Sequence, residues 1–291
     1  MRESIQARNL ADGRLHLHEG PIDLIIEAFG DQAEIRKAYA AAAAVFQDVL
    51  PDLVNELPLL RHPLCGAPPG LKGAVARRMQ RACAAHRPAF VTPMAAVAGA
   101  VADHILSAMT AVADLRRAYV NDGGDIALHL SPGESLACGL VAEIEVPRLT
   151  GRAVVCADMP VRGIATSGRA TLGQGGRSFS LGIADAVSVF AQDAATADVA
   201  ATLLANAVNL PGHSAIRRCP VEEVDPESDL QGKMVTLEVG DLSLDELRSA
   251  LGRGAAAAEE MRSRGLIEAA VLFLRGEVEV VAAPRGLLAA A

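Results

Sequence analysis

The stretch from Gly163 to Val208, GIATSGRATLGQGGRSFSLGIADAVSVFAQDAATADVAATLLANAV, contains three successive sequence patterns. Its first part, up to Gly182, is rich in Gly, Ser and Thr, which favour turns and let the backbone approach a ligand closely. The run AVSVFA (Ala186 to Ala191) is apolar and β-branched, which is typical of a buried strand. The last part predicts a helix that begins after an N-cap at Asp193 and ends at the following NLPG.

Two oxygen-bearing side chains lie four residues apart in this predicted helix. Asp198 and Thr202 should therefore project from one helix face. A glycine-rich loop that faces a carboxylate and a hydroxyl can hold a phosphate together with a hard cation. The alternative is that this helix face only packs on a sheet, with Thr202 bonding back to the carbonyl of residue 198.

Composition excludes several classes of protein. The chain has 291 residues, 51% hydrophobic and 21% charged, which is a globular composition. A net charge of -8 and only 3% aromatic residues argue against nucleic acid and anionic membranes as partners. The five cysteines are scattered along the chain, which favours reduced thiols over a disulfide framework. The N-terminus has no apolar signal region, and the longest apolar stretch, 93–102, is too short to span a bilayer. We expect a soluble, cytoplasmic protein without membrane contact.

The order of elements predicts an α+β fold with largely antiparallel sheets flanked by helices. The chain starts as ββα and ends as βαββ, without an alternating βα rhythm. We expect one domain over 1–291, with a nucleotide- and metal-binding core at 93–208 and a C-terminal βαββ part at 220–291.

Local signals divide the chain further. A capping box predicts a helix over 32–49. Five prolines predict an irregular segment over 50–73, and the tail 284–291 should be frayed. A basic helix follows at 72–87, and a helix of small residues at 93–109. The NDGGD sequence (121–125) predicts a hairpin turn, with its acids facing solvent or its amides and carboxylates facing a nucleotide.

Three segments in the same order resemble the ApbE-like flavin transferase superfamily: MAAVAGAVAD, YVNDGGDI, and ATSGR followed by FSLGIADAVSVFA and ADVAAT. Over nearly the whole chain, the sequence is most similar to a branch of ApbE-related hypothetical proteins with no assigned function. The similarity to the authentic transferases covers 93–208.

The resemblance implies an α+β core of the T-fold type that binds FAD and Mg²⁺. It implies transfer of FMN from FAD to a Thr hydroxyl of an acceptor protein, with release of AMP. By the same resemblance, Asp198, Thr202 and a backbone carbonyl near Ala95 hold the metal. The implied nucleotide-binding residues are Asp103, Asn121, Gly123, Gly124, Asp125, Thr166, Ser167, Gly168 and Arg169.

The chain also departs from the transferase pattern. Ala98, Gly99 and Ala100 replace a K-G-Y/F sequence, and residues 178–181 (SFSL) replace an H-x-x-D-P motif. Arg169 stands where the transferases have an acid. Two functions therefore remain open: a Mg²⁺-dependent, FMN transferase-like enzyme, or a flavin-binding module that has lost the transferase His and Lys. The oligomeric state is also open.

Overall fold

The structure is a computed structural model that describes residues 5–64, 70–141, 149–168, 179–282 and 286–290. Its helices are α1 (Gln32–Leu60), α2 (Ala74–Ala84), α3 (Val97–Val112), α4 (Ala194–Ala207) and α5 (Leu244–Ser263). Its strands are β1 (Gln6–Asn9), β2 (Leu15–Glu19), β3 (Ile22–Gly30), β4 (Leu115–Asp122), β5 (Asp125–Leu130), β6 (Ser135–Val141), β7 (Leu149–Cys156), β8 (Gly163–Ser167), β9 (Ala186–Ala191), β10 (Ile216–Pro220), β11 (Met234–Val239), β12 (Ala269–Leu274), β13 (Glu277–Val281) and β14 (Leu288–Ala290).

The chain folds as two compact units. The first unit contains Met1–Leu136, Val155–Ala165 and Ala191–Asp198, and the second unit contains Ala137–Val154, Thr166–Phe190 and Val199–Ala291. Both units combine helices with antiparallel strand pairs, which confirms the predicted α+β class. The expectation of one domain over 1–291 stays a prediction.

The first unit is built on an antiparallel meander of β1 to β5, which continues with the first two residues of β8 against β5. The alternating burial of β2 and β3 matches their alternating sequence, so one face of this sheet is apolar. Helix α3 packs against β4, β5, α1 and α2. It begins just after a 3₁₀ turn at Pro93–Ala96.

Together, the 3₁₀ turn and α3 form an apolar segment that is longer than the sequence analysis assumed. Pro93–Val112 has 20 residues and a mean hydropathy of 1.5, and half of it is buried inside the protein. By length and composition alone such a segment could cross a bilayer, and core helices of soluble proteins have the same properties. Its packing against two helices and two strands of the first unit gives it the position of a core helix.

The second unit contains the predicted buried strand. All six residues of β9 are buried, as expected from their apolar sequence. Strand β12 pairs antiparallel with β9 on one side and with β13 on the other, and α5 packs on β12 and β13. Helix α5 begins with a capping box between Ser243 and Glu246, a signal that the sequence itself contains. Strands β10 and β11 form a separate antiparallel pair.

Three local predictions were wrong. Helix α1 does not end at Val49 but continues through Pro51 and Pro58, because burial of further apolar residues on the same face, including Leu53 and Leu60, outweighs the lost backbone hydrogen bonds. The start of the glycine-rich stretch is not a turn but strand β8. The tail is not frayed throughout, because β14 pairs with 151–153 of β7.

Two glycines of α5 give a matched test of packing. Gly252 is exposed, and no atom lies within 4 Å of the Cβ that alanine would add, whereas a Cβ at Gly254 would lie 2.4 Å from Val208 Cγ2 and 2.6 Å from Leu272 Cδ2. We expect Gly252→Ala to raise the free energy of unfolding by about 0.5–1 kcal/mol through helix propensity. Gly254→Ala should lower it by about 1–3 kcal/mol through overpacking. Urea denaturation of the two variants measures both effects, and equal midpoints would contradict the packing argument.

Candidate functional site

Two carboxylates in the first unit, the buried Asp103 and the half-buried Asp198, cap each other's helices. Asp103 of α3 accepts hydrogen bonds from the N–H groups of Ala194 (3.1 Å) and Ala195 (3.0 Å) at the start of α4. In return, Asp198 of α4 accepts a hydrogen bond from the N–H of Gly99 (3.0 Å) in the first turn of α3. The N-cap residue of α3 provides no side-chain acceptor for the first N–H groups of that helix, so Asp198 provides one from α4.

Gly99 allows the two helix starts to approach this closely. A Cβ on Gly99 would lie 2.2 Å from the carbonyl oxygen of Ala194, a distance that no side chain tolerates. Gly163 has the same role in β8, because its Cβ would lie 2.1 Å from the carbonyl of Asp193. The predicted N-cap is confirmed here, since Asp193 Oδ1 accepts the N–H of Thr196 at 2.7 Å.

The hairpin predicted at residues 121–125 joins β4 to β5. Asp122 pairs with Asp125, and Gly123 (φ +61°) and Gly124 (φ +114°) form the two-residue turn. The Asn121 side chain accepts the N–H of Gly124 at 2.8 Å and fixes this turn.

The acidic residues of the hairpin and of α4 act on one another. Burial and the negative charge of Asp125 raise the pKa of Asp198 well above its ordinary value of 3.8, against the effect of the Gly99 N–H. Burial also raises the pKa of Asp122 to about 8, with Asp198 among the charges that contribute. Repulsion between negative charges in the first unit therefore links Asp198 to Asp122 and Asp125 of the hairpin. Repulsion of this kind favours the binding of protons.

Burial raises the pKa of Asp103 to about 6, and the charge of Asp193 adds to this effect. The two backbone N–H groups of α4 and the guanidinium of Arg78, 3.8 Å away, oppose it. Both oxygens of Asp103 accept hydrogen bonds from the start of α4, the helix that carries Asp198. The predicted contact of Asp103 with the nucleotide stays a prediction.

Thr166, Ser167 and Gly168 lie in the second unit at the end of β8 and just after it. The hydroxyls of Thr166 and Ser188 are 2.9 Å apart. Gly168 has φ +145°, and a Cβ there would lie 2.6 Å from the carbonyl oxygen of Asp185. Packing therefore explains this glycine. Arg169, also predicted to contact the nucleotide, lies outside the described residues.

The three predicted metal ligands occupy two elements. Ala95 lies in the 3₁₀ turn that leads into α3, and Asp198 and Thr202 lie four residues apart in α4. Asp198 belongs to the first unit and Thr202 to the second. In the described part of the chain, no three His, Cys, Asp or Glu side chains form a group suited to a metal ion. Their joint role in metal binding stays a prediction.

Asp122 is the residue that the sequence analysis missed. The residue is 8% exposed, whereas the sequence predicts that the acids of this hairpin face either solvent or a nucleotide. The signal was present in the strand alternation, because Ala118, Val120 and Asp122 share the buried face of β4.

The pH dependence of stability tests the burial of Asp122. Because its folded pKa of about 8 lies above the ordinary 3.8, the folded chain binds more protons than the unfolded chain between about pH 4 and pH 8. The stability that Asp122 contributes is therefore complete below about pH 4 and is lost as the pH rises through 8. In chelator, Asp122→Asn should raise the free energy of unfolding at pH 8 by about 2 kcal/mol or more and flatten this decline.

Urea unfolding between pH 5 and 8 measures this effect, and Asp241→Asn on the exposed surface is the control. If the free energy of unfolding changes with pH in the same way for the wild type and Asp122→Asn, the carboxyl group of Asp122 is not buried.

A family model described as "AbpE bacteria" matches residues 7–280. The chain belongs to this family. A UPF0280 protein from Methanosphaerula palustris is 37% identical over 192 residues, which cover 63% of this chain and 73% of that protein. UPF0280 proteins from Methanopyrus kandleri and Methanocella arvoryzae are each 40% identical over 138 residues. Those matches cover 47% and 45% of this chain, and the chain spans about half the length of these two relatives.

These matches confirm the resemblance to an ApbE-like branch without an assigned function. Among solved structures, a mutant of flavin transferase ApbE from Vibrio cholerae aligns with a TM-score of 0.46 at 12% identity, covering 96% of this chain and 97% of that chain. The ApbE protein from Thermotoga maritima aligns with a TM-score of 0.43 at 12% identity and the same coverage. The family rests on the sequence matches.

Proposed function

We propose that this AbpE-family chain binds a flavin nucleotide, FAD, together with Mg²⁺. The observation that carries the proposal is the group of mutually repelling carboxyls around Asp198, beside the starts of α3 and α4. At neutral pH the raised pKa values favour protons on these carboxyls, and a divalent cation would displace the proton from Asp198 as it binds. Asp198, the Thr202 hydroxyl and the Ala95 carbonyl are hard oxygen donors of the type that Mg²⁺ prefers.

Asp198 provides the charged ligand in this proposal. Asp103 positions Asp198 indirectly, because it caps the helix on which Asp198 lies. The Asn121–Asp125 turn and Thr166 to Arg169 supply the nucleotide contacts. Bound Mg²⁺ neutralises charge on pyrophosphate oxygens and so supports both nucleotide binding and phosphoryl transfer. We propose a cytoplasmic protein that handles a small-molecule nucleotide.

The first form of this function is an FMN transferase-like enzyme with an acceptor protein. Gly99 supports this form. It matches the glycine of the transferase K-G-Y/F sequence, and its lack of a side chain allows the starts of α3 and α4 to approach each other. Incubation with FAD and Mg²⁺, followed by chromatographic detection of AMP, tests this form. We expect AMP to accumulate when the protein is incubated with FAD and Mg²⁺, and not when EDTA is added.

The second form is a module that binds the flavin without turnover. Ser180, in the segment that replaces H-x-x-D-P, is buried, and its hydroxyl accepts the Gly182 N–H at 3.1 Å and lies 3.4 Å from Asn206 Oδ1. A hydroxyl held in this way has a packing role and is a poor general base. Saturable quenching of FAD fluorescence without AMP release supports this form. Absence of both signals would overturn the proposed function.

A further inference from the structure

Three arginines lie around one depression on the first unit. Arg77 and Arg81 are one turn apart on α2, and Arg87 follows the helix. The depression has a volume of about 340 Å³ and is lined by Arg77, Gln80, Arg81, Ala84 and Arg87. No residue of this depression belongs to the carboxylate group described above. The depression is therefore a separate feature with the opposite charge.

The guanidinium of Arg87 is held in an unfavourable environment. Its Nε and Nη2 atoms are shielded from solvent and have no hydrogen-bond partner among the residues that the structure describes. Burying a polar N–H group without a partner costs free energy, and for a charged group the cost is larger. A nearby anion would stabilise this poorly solvated positive charge at a distance, without a hydrogen bond to the shielded Nε and Nη2 atoms.

The acids of the described residues do not neutralise the charges of Arg81 and Arg87. Arg78 turns toward α3, where it faces Asp103 (3.8 Å) and Ser107 (3.4 Å), and so leaves the depression. In the described ranges, no carboxylate lies within ion-pair distance of Arg81 or Arg87. Like charges one turn apart on a helix destabilise it, so an anion between them would relieve a repulsion.

We propose that this arginine depression binds a small phosphate-bearing anion, such as a pyrophosphate group, without a metal ion. The planar fork of the exposed Arg81 matches two phosphate oxygens, and the charges of Arg77 and Arg87 add to the attraction. Ala84 leaves space between the arginines. The net charge of -8 and the scarcity of aromatic residues argue against a nucleic-acid strand as the occupant. This site goes beyond the proposed function, since it shares no residue with the flavin and Mg²⁺ site.

Isothermal titration of the full chain with inorganic pyrophosphate in EDTA tests the proposal. The wild type should bind saturably, and more weakly at high salt. Arg81→Ala should bind at least about tenfold more weakly, since a charge-assisted hydrogen bond is worth about 1.4 kcal/mol or more. Arg81→Lys, which keeps the charge without the fork, should fall between the two.

Arg253→Ala removes an exposed arginine from α5 and should bind like the wild type. Asp198→Asn should also bind like the wild type in EDTA, which separates this site from the proposed flavin site. Arg77→Ala serves as the second variant if circular dichroism shows that Arg81→Ala is misfolded.

Two results would overturn the proposal. One is that the wild type does not bind pyrophosphate, and this holds even if it binds an oligoglutamate peptide. The other is equal loss of binding in Arg81→Ala and Arg253→Ala, which would mark a nonspecific charge effect.

Discussion

Replacing Gly99 by alanine should lower the free energy of unfolding by about 3 kcal/mol. The new methyl group would lie 2.2 Å from the carbonyl oxygen of Ala194, and this neighbour is backbone that no rotamer change can move. The helices would have to separate, and the hydrogen bond from the Gly99 N–H to Asp198 would lengthen or break. Urea denaturation followed by circular dichroism measures the loss.

Gly252→Ala is the matched control, because it makes the same chemical change on an open helix face. If Gly99→Ala unfolds at the same urea concentration as Gly252→Ala, the two helix starts do not approach as closely as described.

Replacing Asp198 by asparagine should abolish the mutual dependence of FAD and Mg²⁺ binding. In the proposed site, Asp198, Thr202 and the Ala95 carbonyl would supply three of the six oxygens that Mg²⁺ prefers. Phosphate oxygens of FAD would join the remaining positions with water, so each ligand should raise the affinity of the other by the same factor. We expect the wild type to bind FAD at least about tenfold more tightly in Mg²⁺ than in EDTA. The asparagine variant should bind equally in both.

Asparagine is a better test than alanine. Alanine at position 198 would also remove the carboxylate that caps α3, and loss of a cap costs about 1 kcal/mol. Asparagine keeps an oxygen that can accept the Gly99 N–H and removes the charge that the cation needs. Asp241→Asn, on the exposed surface, should retain the wild-type dependence. A wild-type affinity that is the same in Mg²⁺ and EDTA would show that Asp198 is only a helix cap.

Sequence reasoning succeeded where short-range patterns determine the structure. The apolar run of β9, the glycines of the 121–125 turn and the capping box of α5 each specify their element locally. It failed where distant packing overrides a local signal. Pro51 and Pro58 suggest a break, yet the buried face of α1 continues past them to Leu60.

The candidate site follows the same division. The spacing of Asp198 and Thr202 is a local property of α4 and could be predicted from the sequence. The burial of Asp122 could have been inferred from strand alternation, since it continues the buried face of β4. The hydrogen bonds between Asp103 and the start of α4 could not be predicted from the sequence, because 91 residues separate Asp103 from Ala194.

The exchange of caps between α3 and α4 affects how the chain folds. Each helix lacks a complete set of acceptors for its first N–H groups until the other arrives, and the partners are 91 to 99 residues apart. Closing a loop of that length costs conformational entropy before either bond forms. Contacts this distant raise the contact order, which slows folding. The two helix starts should therefore become ordered together, in one late and cooperative step.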